Sequence, residues 1–102
     1  MTDLMNRDAV ELSDMLEARE ISAVELMQAT LDRIAAVNGD INAIVSLRDP
    51  DTLLAEAQAA DNAPRQGWLH GIPLAVKDLA DVAGIPTSMG SPAFADFVPK
   101  AD

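Results

Sequence analysis

Two short apolar segments constrain the fold of this chain more than any other feature. They are Ile41–Leu47 (INAIVSL) and Ile72–Val76 (IPLAV), and both are rich in branched side chains and bounded by turn-forming residues. This pattern predicts strands at about residues 41–47 and 72–77. Both segments are apolar on both faces, which is typical of strands in a sheet that is covered on both sides. Two short strands cannot form such a sheet alone, so we expect the front part of a larger α/β protein.

Three helices are predicted around these strands, at about residues 9–18, 22–37 and 50–62. In each of them apolar residues recur at intervals of three and four, with charged or polar residues between them. No repeat or low-complexity tract interrupts the pattern. We therefore expect residues 1–102 to belong to a single domain.

Local signals define the helix ends. Ser22 and Glu25 have the spacing of a capping box, in which each residue satisfies a free backbone N–H of the other. Gly39 is suited to the left-handed conformation that ends a helix, so we expect the second helix to stop near it. Asp49 and Pro50 are typical of a cap and a first helical position, and they predict the start of the third helix.

Composition narrows the range of functions. The chain has 17 acidic and 7 basic residues and a net charge of −10, which gives no basic surface for nucleic acid or for a membrane. It has no cysteine, so disulfides and thiolate catalysis are excluded within these residues. No signal-peptide pattern and no membrane span is found in the sequence. We expect a cytoplasmic protein.

Lys77 is the strongest candidate for chemistry, because it directly follows the second predicted strand. Side chains alternate along a strand, so Lys77 shares a face with Pro73 and Ala75, whereas Asp78 points the other way. That small face leaves room for another segment to cover the ammonium group. A lysine at a strand end is otherwise most simply explained as facing solvent. If Lys77 is covered instead, burial favours its neutral amine, and only the neutral amine can accept a proton. Burial would therefore make Lys77 a base.

The sequence GIPLAVKDLADVAGIPTSMGS, which contains Lys77, closely resembles the first conserved block of the amidase signature family. The upstream segments REISAVELMQATLDRIAAVNGDINAIV and LLAEAQAAD are similar to the amino-terminal helices and first strand of that family. The resemblance covers nearly the whole chain. It implies an α/β fold with a mixed sheet covered by helices on both faces, to which this chain contributes the amino-terminal helices and the first strands.

The resemblance also implies a function. Members of this family are amide hydrolases with a Ser–cis-Ser–Lys triad and need neither metal nor organic cofactor, and the lysine at the position of Lys77 is the catalytic base. The nucleophile and the cis-serine belong to a Gly/Ser-rich block that these 102 residues lack. Ser88 and Ser91 match the loop after the lysine, so only Lys77 is carried over as catalytic. The expected substrate is a small-molecule amide, and the 102 residues alone are expected to be inactive.

Other residues are less informative. His70 is the only histidine, and with no cysteine beside it we expect a structural role instead of a metal site. Trp68 is expected to be a packing anchor. Asp78 and Asp81 are interpreted as turn-forming residues.

Three alternatives stay open at this point. A stand-alone amidase is favoured over the amidase subunit of glutamyl-tRNA(Gln) amidotransferase, because the run Lys-Asp-Leu-Ala departs from the Lys-Asp-Asn-Ile form that we associate with the amidotransferase. If the 102 residues are the whole product, their acidic amphipathic helices could instead serve as a non-catalytic interaction module. The same helices leave a homodimer open.

Overall fold

The computed structural model describes residues 3–102, which form two compact units. One unit consists of residues 3–41 together with Asp49–Pro73, and we call it the helical unit. The other consists of Asn42–Arg48 and Leu74–Asp102, and we call it the loop unit. Candidate functional residues lie in both units, His70 in the helical unit and Lys77 in the loop unit.

The helical unit contains three α-helices, α1 (Ala9–Glu17), α2 (Ala23–Ile41) and α3 (Pro50–Asn62). A short 3-10 turn, Leu4–Asn6, precedes them, and α2 packs against both this turn and α3. The helix positions lie close to the three ranges predicted from the sequence. No helix within residues 3–102 combines the length and the apolar character needed to cross a bilayer.

A small apolar core holds the helical unit together. Leu26 of α2 is its most deeply buried side chain, with 1% of its surface exposed. Apolar side chains from the amino-terminal turn, from α1 and from the α1–α2 connection surround it. Burial of side chains of this size is the main stabilising contribution to a helical unit. The buried cluster consists of Leu4, Leu12, Ile21 and Leu26.

The start of α2 is capped from two directions. The capping box predicted from the sequence is formed, because the Ser22 N–H donates to Glu25 Oε1 at 3.1 Å and the Glu25 N–H donates to Ser22 Oγ at 3.0 Å. The carboxylate of Asp61, in the last turn of α3, accepts hydrogen bonds from the N–H groups of Ala23 (2.7 Å) and Val24 (3.1 Å). A carboxylate is well placed there, since the amino-terminal end of a helix is partially positive. Asp61 therefore ties α3 to α2.

The end of α2 differs from the prediction. The helix continues through Gly39 and ends at Ile41, four residues beyond the predicted end at Val37. Glycine inside a helix costs only about 1 kcal/mol, which the packing of a long helix offsets. Asn42, with φ +55°, adopts the left-handed conformation that was expected of Gly39.

The two predicted strands are not formed in this chain. Among the described residues no strand is present, and residues 42–47 and 72–77 have irregular backbone, while Ile41 belongs to α2. A strand needs neighbouring strands to pair its N–H and C=O groups. The helical part of the predicted α/β fold is therefore observed, and the sheet is not.

The loop unit is built from consecutive turns. Backbone hydrogen bonds close turns at residues 77–80, 82–85 and 88–91, with N–H to O distances of 3.0, 3.1 and 3.0 Å. The unit also contains a short 3-10 turn, Pro92–Phe94.

Two backbone hydrogen bonds link distant parts of the loop unit. The Gly84 N–H donates to the Pro99 carbonyl and the Thr87 N–H donates to the Phe97 carbonyl, both at 2.9 Å. Thr87 and Pro99 are buried, but the large apolar side chains of this unit are mostly exposed. At least 39% of the surface is exposed at Val45, Leu47, Leu74, Val76, Leu79, Met89, Phe94, Phe97 and Val98.

Candidate functional site

Lys77 occupies the first position of the 77–80 turn in the loop unit. Its carbonyl accepts the hydrogen bond that closes this turn, from the Ala80 N–H at 3.0 Å. The lysine side chain is exposed, as are Leu74 and Val76, which precede it. The dry strand face expected around Lys77 is therefore not formed by these residues. The physical reason is the missing sheet, because the small face of residues 73–77 has no second segment lying on it.

Asp78, the next residue, links two turns of the loop unit. The Ser88 N–H donates to Asp78 Oδ1 at 3.0 Å, and the Ser88 hydroxyl donates to Asp78 Oδ2. Both carboxylate oxygens are thus bonded to one residue that lies ten positions further along the chain. Sequence reasoning identified Asp78 as a turn residue but did not find this link.

The Ser88 contacts also act on the ionisation of Asp78. The hydrogen bond from the Ser88 hydroxyl lowers the pKa of the Asp78 carboxyl below its ordinary value, and partial desolvation opposes this effect. The backbone N–H groups of Ser88, Gly90 and Met89 lower the pKa further. Hydrogen bonds to the charged form favour that form, so Asp78 is an ionised carboxylate at neutral pH.

The 88–91 turn has an uncommon backbone. Met89 and Gly90, its two central residues, have φ values of +56° and +71°. Two positive φ angles in succession define a type I′ turn, which glycine adopts freely and methionine does not. Such a turn at a bulky side chain persists only where the surrounding contacts hold it.

Neither serine of this loop has the environment of a nucleophile. The Ser88 hydroxyl donates to Asp78, and Ser91 Oγ accepts from the Ala93 N–H at 3.2 Å, which caps the 3-10 turn. An activated serine needs an efficient general base at its hydroxyl, and the Asp78 carboxylate, whose pKa is lowered, is a weak base. The assignment of Lys77 alone to the triad, with no role for Ser88 or Ser91, stays a prediction.

A second polar cluster lies in the helical unit and centres on Arg65. Its Nη2 group donates to the carbonyl of Trp68 (3.0 Å), the carbonyl of Ser13 (3.3 Å) and the Ser13 hydroxyl, and Nη1 donates to the carbonyl of His70 (3.3 Å). Ser13 is buried and donates to the Trp68 carbonyl. The guanidinium group thus fastens residues 67–71 to α1. Sequence reasoning missed Arg65 and Ser13, because no local pattern marks residues 52 positions apart as partners.

The structural roles predicted for His70 and Trp68 compare differently with the structure. His70 Nε2 lies 2.8 Å from the Ala60 carbonyl, so the ring N–H at Nε2 donates to α3, a contact of the structural kind that was expected. Trp68 is 56% exposed, so the prediction that it anchors the packing is wrong. Its carbonyl accepts hydrogen bonds from Ser13 and Arg65, whereas its indole ring is exposed. Within residues 3–102 no group of three or more His, Asp or Glu side chains could hold a metal ion.

A shallow cleft of about 100 Å³ in the helical unit lies next to this cluster, and its lining includes Arg19, Asp61, Arg65 and His70. Of these side chains, Asp61 is bonded to the start of α2, Arg65 to the carbonyls that it fastens, and His70 to Ala60. These bonds are structural. The cleft therefore shows no arrangement for catalysis.

Comparison with known proteins assigns the family. Residues 25–102, which contain most of α2, all of α3 and the segment around Lys77, match the family described as Amidase. The chain belongs to the amidase family. The resemblance seen in the sequence is thereby confirmed.

Relatives of two kinds are similar to the chain. It is 43% identical, over its full length, to a glutamyl-tRNA(Gln) amidotransferase subunit of Acidothermus cellulolyticus, and it covers 21% of that protein. It is 41% identical over 91% of its length to an amidase of Pseudomonas putida, of which it covers 20%. The corresponding glutamyl-tRNA(Gln) amidotransferase subunit of Nocardia farcinica is 44% identical over 89% of the chain. The chain spans about a fifth of the length of the curated relatives that it matches.

Proposed function

We propose that this chain is the amino-terminal part of an amide hydrolase in which Lys77 is the catalytic base. The observation that carries the proposal is the family match over residues 25–102, which includes the Gly-Ile-Pro-x-x-x-Lys-Asp segment around Lys77. The identity of 41% to an amidase supports it. The remaining triad members, a nucleophilic serine and a cis-serine, are contributed by residues outside these 102.

Lys77 acts in this proposal by accepting a proton. Its neutral Nζ takes a proton, through the cis-serine, from the nucleophilic serine, whose oxygen attacks the amide carbonyl carbon. The tetrahedral intermediate collapses when the C–N bond breaks and the amine leaves with the proton. Water then attacks the acyl ester with the same base, and the acid is released. General-base assistance of this kind contributes about 10²- to 10⁴-fold to a rate.

The exposure of Lys77 in this chain is consistent with the proposal once the rest of the domain is considered. A charged, hydrated lysine is a poor base at neutral pH, and burial is what favours the neutral form. The chain covers about a fifth of its relatives, and the apolar side chains before Lys77 are exposed, with Leu74 at 80%. We propose that later residues complete the sheet at 41–47 and 72–77, cover these side chains and desolvate Lys77.

A second candidate is the amidase subunit of a glutamyl-tRNA(Gln) amidotransferase. Two relatives with that name are 43% and 44% identical to the chain. The run Lys77-Asp78-Leu79-Ala80 favours the stand-alone amidase. The two are separated by assaying the longer protein alone: turnover of simple amides without any partner supports the stand-alone enzyme, whereas ammonia release from glutamine that requires partner proteins supports the amidotransferase.

The catalytic assignment is tested with the two lysines of the chain, Lys77 and Lys100. In the longer enzyme Lys77→Ala is expected to lower kcat for amide hydrolysis by about 10²- to 10⁴-fold. Lys100→Ala, a matched loss of an exposed lysine, is expected to change kcat by less than about twofold, in line with other surface changes. Full activity of the Lys77→Ala enzyme would contradict the proposal, as would amide turnover by the 102-residue chain alone.

A further inference from the structure

We propose that Asp78 is a positioning residue for Lys77, because its carboxylate fixes the 77–80 turn to the 88–91 turn through a two-point attachment to Ser88. This inference rests on the proposed function, in which Lys77 is the base. It assigns to the loop at residues 88–91 the task of holding the catalytic turn. Nothing in the triad chemistry itself requires Asp78 or Ser88.

The first support is the directness of the connection. Asp78 is bonded covalently to Lys77, and both belong to the turn that the Ala80 N–H closes at 3.0 Å. A displacement of Asp78 therefore changes the direction in which the Lys77 side chain leaves the backbone. A misplacement of about 1 Å at a reacting group can cost about 10²-fold in rate.

The second support is that the attachment uses two atoms on each side. Asp78 Oδ1 accepts from the Ser88 N–H at 3.0 Å and Oδ2 accepts from the Ser88 hydroxyl. A single hydrogen bond fixes a distance, whereas two parallel bonds also fix an orientation.

The third support is the backbone of the loop that Asp78 holds. Met89 adopts φ +56° directly after Ser88, a conformation that is unfavourable for a residue with a side chain and needs contacts that hold it. The N–H groups of Ser88, Met89 and Gly90 all favour the ionised Asp78 carboxylate. Of these groups, the Ser88 N–H is hydrogen-bonded to the carboxylate, at 3.0 Å.

A direct catalytic role for Asp78 is less consistent with the same contacts. Both of its oxygens are occupied, and its carboxyl has a lowered pKa, whereas an efficient general base has a pKa near the working pH. Asp78 therefore acts through the backbone of Lys77 and not on the substrate.

Three variants of the longer enzyme separate geometry from charge. Asp78→Ala removes both contacts and is expected to lower kcat about 100-fold with KM changed less than about twofold. Asp78→Asn keeps an oxygen for the Ser88 N–H and offers an amide N–H to the Ser88 hydroxyl, so it is expected to recover kcat to within about tenfold of the parent. Asp81→Ala, the removal of an exposed carboxylate from the same loop, is expected to leave kcat unchanged.

The link itself is measured on the longer enzyme by amide hydrogen exchange. Asp78→Ala is expected to raise exchange at the Ser88 amide at least about tenfold, since that amide loses its acceptor and the turn opens more often. Asp81→Ala is expected to leave it unchanged. Unchanged exchange in Asp78→Ala would overturn the inference, because the two-point attachment would then not exist in solution.

The outcomes for the inference and for the proposed function differ. If Lys77→Ala loses activity while Asp78→Ala keeps it, the positioning role of Asp78 is wrong and the function of Lys77 stands. If Lys77→Ala keeps activity, the proposed function is wrong and the inference falls with it. If Asp78→Asn is as inactive as Asp78→Ala, the charge matters and not the geometry, which also overturns the inference.

Discussion

The helical unit and the loop unit bury their apolar residues to very different extents. Leu26 in the helical unit is 1% exposed, whereas Leu74 in the loop unit is 80% exposed. Both are leucines in segments that match the same family. The helical unit thus has an apolar core within the described residues, whereas the large apolar side chains of the loop unit are mostly exposed.

The same contrast applies to the polar contacts. In the helical unit Asp61 and Arg65 join helices and a neighbouring segment that also pack through apolar side chains. In the loop unit the Asp78–Ser88 link and a few backbone bonds connect turns whose large apolar side chains remain mostly exposed. Polar links alone give specific geometry but little net stability. We therefore expect the two units to respond differently to equivalent substitutions.

The largest expected difference comes from a pair of leucine truncations. Leu26→Ala is expected to lower the free energy of unfolding of the 102-residue chain by about 2 to 5 kcal/mol, because it leaves a cavity in the core. Leu74→Ala is expected to change it by less than about 0.5 kcal/mol, because that side chain is exposed. Urea denaturation followed by far-UV circular dichroism measures both values. Equal losses for the two variants would show that the comparison is wrong.

A smaller effect is expected at Arg65. Arg65→Ala removes the donor to four acceptors on Ser13, Trp68 and His70 and is expected to cost about 1.5 to 3 kcal/mol, the range for hydrogen bonds to a charged group. Arg33→Ala, which removes an exposed arginine from α2, is a suitable control. The same urea titration gives the difference. Exchange at the Ser88 amide is expected to be unaffected, and a change there would mean that the loop unit depends on Arg65.

The smallest expected effect is a change in the titration midpoint of Asp78. Asp78 has a folded pKa below the ordinary value of 3.8, so its link to Ser88 contributes fully above that value and is lost as the pH falls through the lowered folded pKa. Ser88→Ala removes the largest cause, and the titration midpoint of Asp78 is expected to rise toward 3.8. Carboxyl carbon NMR during an acid titration measures the midpoint. A midpoint that does not move would show that the Ser88 hydroxyl is not bonded to Asp78 in solution.

The sequence alone was sufficient to predict the features that depend on local patterns of residues. Helix positions follow from apolar periodicity, and the Ser22–Glu25 capping box follows from its spacing. The end of α2 was missed because the cost of Gly39 is small compared with the stabilisation of the rest of the helix. The family followed from the segment around Lys77, which carries a specific pattern of residues.

Features that depend on distant partners could not be predicted in this way. Arg65 and Ser13 are 52 residues apart, and Asp78 and Ser88 are ten apart, so neither pair has a recognisable spacing. The predicted strands and the dry environment of Lys77 are not observed in the described residues. They stay predictions for the longer protein.

Amide hydrogen exchange at residues 74–77, compared between the 102-residue chain and the longer enzyme, tests the central claim most directly. We predict rapid exchange in the short chain, where these residues form no strand, and protection increased by at least about 10³-fold in the longer enzyme, as for strands in a core sheet. Protection of these amides in the short chain, or rapid exchange in both proteins, would contradict the claim that later residues complete the sheet and cover Lys77.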